Sequence, residues 1–258
     1  MGSEMCIRDR LKEVMKDKTL LIADGHHRYE TALNYRNLMR QKYPGYTGDE
    51  PFNYTMMYFT NMNDAGLVVL PTHRLVKNTD FNPSEFVKKA QKYFEVEIIP
   101  TTPETDSHVR KTIIPTMKKE TQECYLFTMF SKKRSDYFVF RLKDFTLLDD
   151  LMDRSMTPAL RHLDANIMEV LIFQTLLGIS CNEPEYEENI KFVHADEEAI
   201  SLVRSGEYEV AFLVNPTRIE QVKEIVAQGE IMPQKSTYFY PKLLSGLVIN
   251  QINPGEKI

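Results

Sequence analysis

Apolar positions along the chain fall into two kinds of pattern. Apolar runs between polar punctuation suit strands covered on both faces, and three stand out: Leu20-Leu21-Ile22-Ala23, Leu67-Val68-Val69-Leu70 and the stretch 124–130, broken only by Thr128. Residues 137–142 add a fourth strand, joined to 124–130 by a turn over Lys132-Lys133-Arg134-Ser135-Asp136, and residues 94–99 alternate as a strand does. The aromatic and thioether stretch 52–59 reads as a strand that forms a hairpin with 67–70 across the turn 61–66. Helical spacing is found elsewhere. Tyr29, Ala32, Leu33, Tyr35 and Leu38 predict a helix of about four turns after Gly25. Leu163, Ile167, Val170, Leu171 and Leu177 predict another over 159–178, stopped by Gly178. Residues 11–16 read as the tail of a helix, and Asn82-Pro83-Ser84-Glu85 opens a helix to about Tyr93. Thr102-Pro103 opens one that Pro115 should end or kink. Strands at 190–194 and 208–214 alternate with helices at 196–205 and 219–228, closed by Gly206 and Gly229. The whole predicts a mixed α/β protein.

Composition narrows the function classes. The 258 residues can bury one large core or two modest ones, and 42% hydrophobic with 27% charged residues is ordinary for a globular chain. A net charge of -5 argues against a whole-surface nucleic-acid binder, though a local basic patch stays open. Cys6, Cys124 and Cys181 are odd in number and widely spaced, so neither a disulfide framework nor a zinc signature is expected. No apolar run is long enough to span a membrane, and the chemistry points to the cytoplasm. Residues 1–10 lack periodicity, and Cys6-Ile7-Arg8-Asp9-Arg10 reads as translated adapter sequence; the chain is therefore expected to begin inside a longer gene. The expected organisation is a non-native leader at 1–10, an α/β region at 11–145 and a second α/β region at 146–258 packed on it.

The chemistry concentrates in Asp24-Gly25-His26-His27-Arg28, between the predicted strand at 19–23 and the first turn of the helix. A helix start offers unpartnered N–H groups and the positive end of the macrodipole. Gly25 lets an anion approach the backbone. Arg28 suits forked contact with phosphate, His26 and His27 can donate hydrogen bonds or move protons, and Asp24 can serve as general base or metal ligand. The plainer alternative leaves Asp24 as a helix cap and one of the histidines as packing.

Two further stretches carry compatible chemistry. Pro71-Thr72-His73-Arg74 sets a His-Arg pair at a strand end, where His73 and Arg74 could face one anion if neighbouring strand ends come together; otherwise His73 caps a turn and Arg74 is solvated. The segment 232–248 has Lys235, Ser236, Thr237 and three aromatics bracketed by prolines, with Lys242 following. Lysine with adjacent hydroxyls suits phosphate, while the aromatics would dock the tail.

Taken with Asn215-Pro216-Thr217, these motifs make the chain resemble the domain-of-unknown-function 1015 family over residues 11 to about 250. Members of that family are longer at the N-terminus, and the resemblance brings no established activity. Over about twenty residues the strand, Asp-Gly-His-His-Arg turn and helix also resemble the phosphate-binding element of the ParB/sulfiredoxin superfamily, which includes partition proteins, sulfiredoxin and a free-serine kinase. That likeness implies that Gly25, His26, His27 and Arg28 hold a nucleotide or substrate phosphate, with Asp24 as acid, base or Mg²⁺ partner. No counterpart of the kinase's upstream acidic residue is identifiable in this chain.

The expected function is phosphoryl transfer, by a kinase or phosphatase, on a small hydroxylated metabolite such as serine or phosphoserine, with ATP or ADP as the nucleotide. Asp24, His26 and His27 are the expected catalytic residues. Gly25, Arg28, His73, Arg74, Lys235, Ser236, Thr237 and Lys242 are the expected phosphate or nucleotide ligands. Two alternatives stand beside this: a non-catalytic nucleotide-sensing module, and a metal-dependent hydrolase using Asp24, His26 and His73.

Overall fold

The structure, a computed structural model, describes residues 2–77, 80–102, 104–120, 124–180, 185–253 and 255–257. Pro103 and Cys181 lie outside them. The chain divides into two compact units, Met1–Asn61 with Lys242–Ile258, and Met62–Pro241.

The first unit holds two helices, α1 (Gly2–Met15) and α2 (His26–Lys42), and a short 3₁₀ turn at Pro51–Asn53. Helix α1 thus includes the leader segment that lacked periodicity. Met39 of α2 and Phe52 of the turn are buried. The loop between them is organised by the Glu50 carboxylate, which accepts from the Thr47 amide (2.8 Å), the Gly48 amide (3.0 Å) and Asn53 Nδ2 (3.1 Å). The amide bonds, that of Thr47 first, hold the carboxyl down at about 2.

Two expected strands are not formed here. Residues 19–23 pair with no other strand among the described residues, and Leu20 is 54% exposed. Residues 54–59 are likewise unpaired and exposed. An apolar run specifies a strand only where a ladder partner satisfies its backbone groups.

The second unit begins with β1 (Val68–Leu70), β2 (His73–Val76), α3 (Pro83–Ala90), β3 (Phe94–Ile99), α4 (Asp106–Glu120), β4 (Leu126–Ser131) and β5 (Arg134–Leu142). It continues with α5 (Thr146–Leu151), α6 (Pro158–Arg161), α7 (Asp164–Ile167) running into a wider π-helical segment Met168–Leu177, α8 (Glu185–Asn189), β6 (Ile190–Val193), α9 (Asp196–Ser205), β7 (Val210–Leu213), α10 (Ile219–Ala227) and β8 (Tyr238–Tyr240). Six strands form one sheet in the order β3-β5-β4-β7-β2-β6, with every neighbouring pair antiparallel. The β6–α9–β7 connection leaves β2 between its two strands.

Helices cover both faces of the sheet, which is why β4 and β7 are buried along their whole length. On one face Phe127, Met129, Phe138, Phe140 and Phe212 pack with Phe86 of α3 and with Ile167, Leu171 and Phe173 of the long helix. On the other, Leu126, Phe130, Val139, Ala211 and Leu213 pack with Ile113 and Met117 of α4 and Ile200 and Val203 of α9. Pro115 does not end α4, whose buried Ile113 and Met117 anchor it on both sides of the proline. Gly178 and Gly206 stop their helices as their positions predicted, both with positive φ.

Strand β1 does not form the expected local hairpin. It pairs antiparallel with β8, Val69 opposite Phe239, so the aromatic segment is held by long-range pairing in a separate two-stranded sheet. Among the described residues no helix is long and apolar enough to cross a membrane.

Candidate functional site

The helix-start chemistry lies wholly in the first unit. Gly25 is the N-cap of α2 at φ 84°, in the left-handed region that favours glycine, and its own lack of a side chain leaves the helix start uncapped. The first bond of the helical ladder runs from the Tyr29 amide to the Gly25 carbonyl (3.0 Å). The amides of His26, His27 and Arg28 therefore precede the ladder, and among the described residues the N-cap offers them no side-chain bond.

Charged groups surround this start. Asp24 Oδ2 lies 3.4 Å from Arg28 Nη2, and its Oδ1 lies 3.1 Å from Lys242 Nζ. Arg28 Nη1 donates to Ser245 Oγ at 3.4 Å. His27 Nδ1 stands 3.4 Å from Glu30 on the exposed side, and His26 is exposed. A Cβ built on Gly25 would sit 2.9 Å from both Nε and Nη2 of Arg28, so glycine here also makes room for the guanidinium. The structure thus gathers Asp24, Gly25, His26, His27, Arg28 and Lys242 in one unit, all but Gly25 with exposed or half-exposed polar ends. Ser245, absent from the sequence expectations, joins them.

His73, Arg74, Lys235, Ser236 and Thr237 belong to the other unit. His73 and Arg74, expected to face one anion, point to opposite faces of the sheet, because successive strand residues alternate. Arg74 is on the face of the long helix. Its Nη1 contacts Glu169 Oε2 at 3.3 Å, its Nη2 donates to the Ala165 carbonyl at 3.3 Å, and its guanidinium lies 5.2 Å from the Phe173 ring centre. It is buried rather than solvated. Glu169 Oε2 also accepts from the Tyr186 hydroxyl at 2.8 Å. Glu169 was not anticipated as a partner; a lone carboxylate inside the apolar run 167–173 was its signal.

His73 is buried, and its Nδ1 accepts from the Val214 amide at 3.2 Å, which fixes the neutral ring's proton on Nε2. Burial, opposed by Asp196 and aided by His194, pushes this imidazole down from 6.5 to about 4. The unfolded chain therefore binds this proton more readily than the native one. The stability the neutral ring supplies is complete above pH 6.5 and is lost as pH falls through about 4. Urea unfolding across that window should show a loss of roughly 3 kcal/mol from this group. A His73→Asn variant, whose Oδ1 takes the place of Nδ1 as acceptor for the Val214 amide, should show a flatter profile.

Two expectations about metal chemistry meet this geometry. Among the described residues no group of three or more His, Cys, Asp or Glu side chains converges on a common point as metal ligands would. Asp24, expected as a Mg²⁺ partner, offers one carboxylate already flanked by two cations, a donor set that does not fit a protein-held divalent ion.

The model of the family described as "Protein of unknown function (DUF1015)" matches residues 5–166. No curated protein matches the chain in sequence. Among solved structures, a conserved hypothetical protein from Pyrococcus furiosus aligns at 16% identity and TM-score 0.41, covering 85% of this chain and 69% of that one. A free serine kinase variant in complex with ADP aligns at 16% identity and TM-score 0.40, covering 84% and 66%. Another kinase variant in complex with AMP aligns at 16% and TM-score 0.36, covering 70% of this chain, and here the chain spans 56% of its neighbour's length.

Proposed function

The chain belongs to the DUF1015 family of proteins of unknown function, and from that premise we propose that it is a phosphoryl-transfer enzyme whose phosphate is held at the start of α2. The substrate is a small hydroxylated metabolite of the serine or phosphoserine kind, and ATP or ADP is the nucleotide. One observation carries this reading: the three uncapped amides of residues 26–28 share their position with two cations, Arg28 and Lys242. An oxyanion at a helix start gains from the amides, the macrodipole and both side chains at once.

The same groups have a second role once phosphate is present. Arg28 and Lys242 rest on Asp24, and a phosphate bearing more charge than one carboxylate competes for both. Asp24 is then released to accept the proton of the attacking hydroxyl. The hydroxyl oxygen forms its bond to phosphorus as the bond from phosphorus to the nucleotide's bridging oxygen breaks. Arg28, Lys242 and one of His26 and His27 stabilise charge on the phosphoryl oxygens. No step is assigned to a protein-held metal.

The test is phosphorus NMR on the purified protein with ATP or ADP, Mg²⁺ supplied with the nucleotide, and serine. A new phosphomonoester resonance and a nucleotide-dependent thermal shift are expected. Absence of both overturns the proposal, and binding without turnover replaces it with the nucleotide-sensing module.

A further inference from the structure

We infer that a cleft inside the second unit, where β2 begins and β7 ends, is a binding site for the carboxylate of a small organic acid. Its polar lining is Thr72, Arg74, Asn215, Thr217, Lys235 and Ser236, against apolar walls from Ala165, Met168 and Val214. The space in front of these groups is narrow, with room for about one water-sized group, and it opens to solvent, so only the carboxylate head of a ligand would enter it. This inference stands apart from the phosphoryl-transfer reading, which uses residues of the other unit.

Thr72 is the observation that points to a ligand. Its residue is 6% exposed, and its Oγ1 is buried with no hydrogen-bond partner among the described residues. An unsatisfied buried hydroxyl is unfavourable, and a bound oxygen in the cleft would relieve it. Arg74 supplies a fixed cation beside it. Glu169, Ala165 and Phe173 hold the guanidinium in place, and these contacts engage only part of its five N–H donors.

The opposite lip is built with some strain. Lys235 has φ 58°, a left-handed conformation uncommon outside glycine, so the surrounding turn must impose it. Ser236 Oγ donates to the Pro233 carbonyl at 2.6 Å, and Thr217 Oγ1 donates to the Ser236 carbonyl at 2.7 Å. Both hydroxyl protons are thereby spent on shaping the lip. The donors left for a ligand are the Thr72 hydroxyl, the remaining N–H groups of Arg74, the second amide proton of Asn215, whose Nδ2 donates once to the Met117 carbonyl at 3.5 Å, and the Lys235 ammonium, which lies 5.8 Å from the Phe192 ring centre.

Charge selects carboxylate over phosphate. Arg74 and Lys235 are two cations and Glu169 is one anion against Arg74, which leaves one net positive charge. A carboxylate balances it. A phosphate dianion would carry one uncompensated negative charge into a cleft already holding a buried carboxylate.

Isothermal titration of the purified protein at constant ionic strength tests this, with acetate, glycolate and lactate in one arm and inorganic phosphate in the other. Saturable binding of the carboxylates is expected. Thr72→Val should weaken it by about tenfold, the worth of one hydrogen bond to a charged group. Thr72→Ser should retain it, and Lys235→Met should weaken it at least as much as Thr72→Val. The melting temperature of Thr72→Val should match or exceed that of the parent, since the change removes an unsatisfied hydroxyl and keeps the shape. Asp24→Asn should bind carboxylate normally, so failure here and failure of the phosphoryl-transfer reading are read separately. Saturable binding of phosphate without carboxylate, no binding of either, or an unchanged affinity in Thr72→Val overturns the inference.

Discussion

Glu169→Gln should lower the free energy of unfolding by about 3–5 kcal/mol, the loss expected when one partner of a buried ion pair is removed. The reason is burial. Arg74 and Glu169 side chains are 6% and 14% exposed, so neither charge is substantially hydrated in the fold. Glutamine keeps the shape of the carboxylate and can still accept from Tyr186, but it leaves the guanidinium beneath Phe173 without a counter-charge. Desolvation of an unpaired cation is what the loss measures, and not the worth of the pair. Replacing both partners, Arg74→Met with Glu169→Leu, should therefore recover most of it, since an apolar pair of similar volume carries no such penalty. Urea denaturation of the parent, the single variant and the double variant checks the cycle. An exposed pair provides the contrast. Arg154 and Asp150 are 80% and 78% exposed, and removing either should change stability by no more than about 1 kcal/mol. A Glu169→Gln loss as small as that would show that water reaches Arg74 in the native state.

Asp24→Asn should reduce turnover by about 10²–10⁴-fold while leaving nucleotide affinity within a few-fold of the parent, the signature of losing a general base. The amide preserves size and its oxygen can still accept from Arg28 or Lys242, but it cannot take the proton of an attacking hydroxyl. Stability should scarcely move, because Asp24 is half exposed and its two ion pairs are screened. Gly25→Ala approaches the same site from the backbone. Its φ of 84° is strained for alanine, and the new Cβ would displace the end of the Arg28 side chain. That variant should lose nucleotide affinity, which distinguishes gripping the anion from activating the hydroxyl. Steady-state kinetics with phosphorus NMR separate the two. Equal loss of affinity in both variants would remove the general-base role of Asp24.

Much of this protein was legible as local pattern. Helices announced by capping residues and terminal glycines formed where the spacing put them: α2 after Gly25, α3 after Asn82, α9 before Gly206. Asn82 shows the mechanism, its Oδ1 accepting from the Ser84 and Glu85 amides as an N-cap does. The helix start at Gly25 was equally readable, because a helix terminus creates its own chemistry from the residues that flank it, whereas the folding of Arg28 back onto Asp24 was not.

What remained hidden was what depends on partners distant along the chain. Residues 19–23 and 52–59 have strand-like composition and form no strand, whereas residues 68–70 do, because 238–240 come to pair with them. Adjacent letters also conceal opposite environments. His73 and Arg74 look like one basic patch, yet the pleat sends them to different faces, where one meets the Val214 amide and the other Glu169. Local spacing can encode a helix, since its hydrogen bonds close within four residues. A strand's bonds, a buried charge's counter-ion and a cleft's lining are all supplied by other parts of the chain, and only folding brings them within reach.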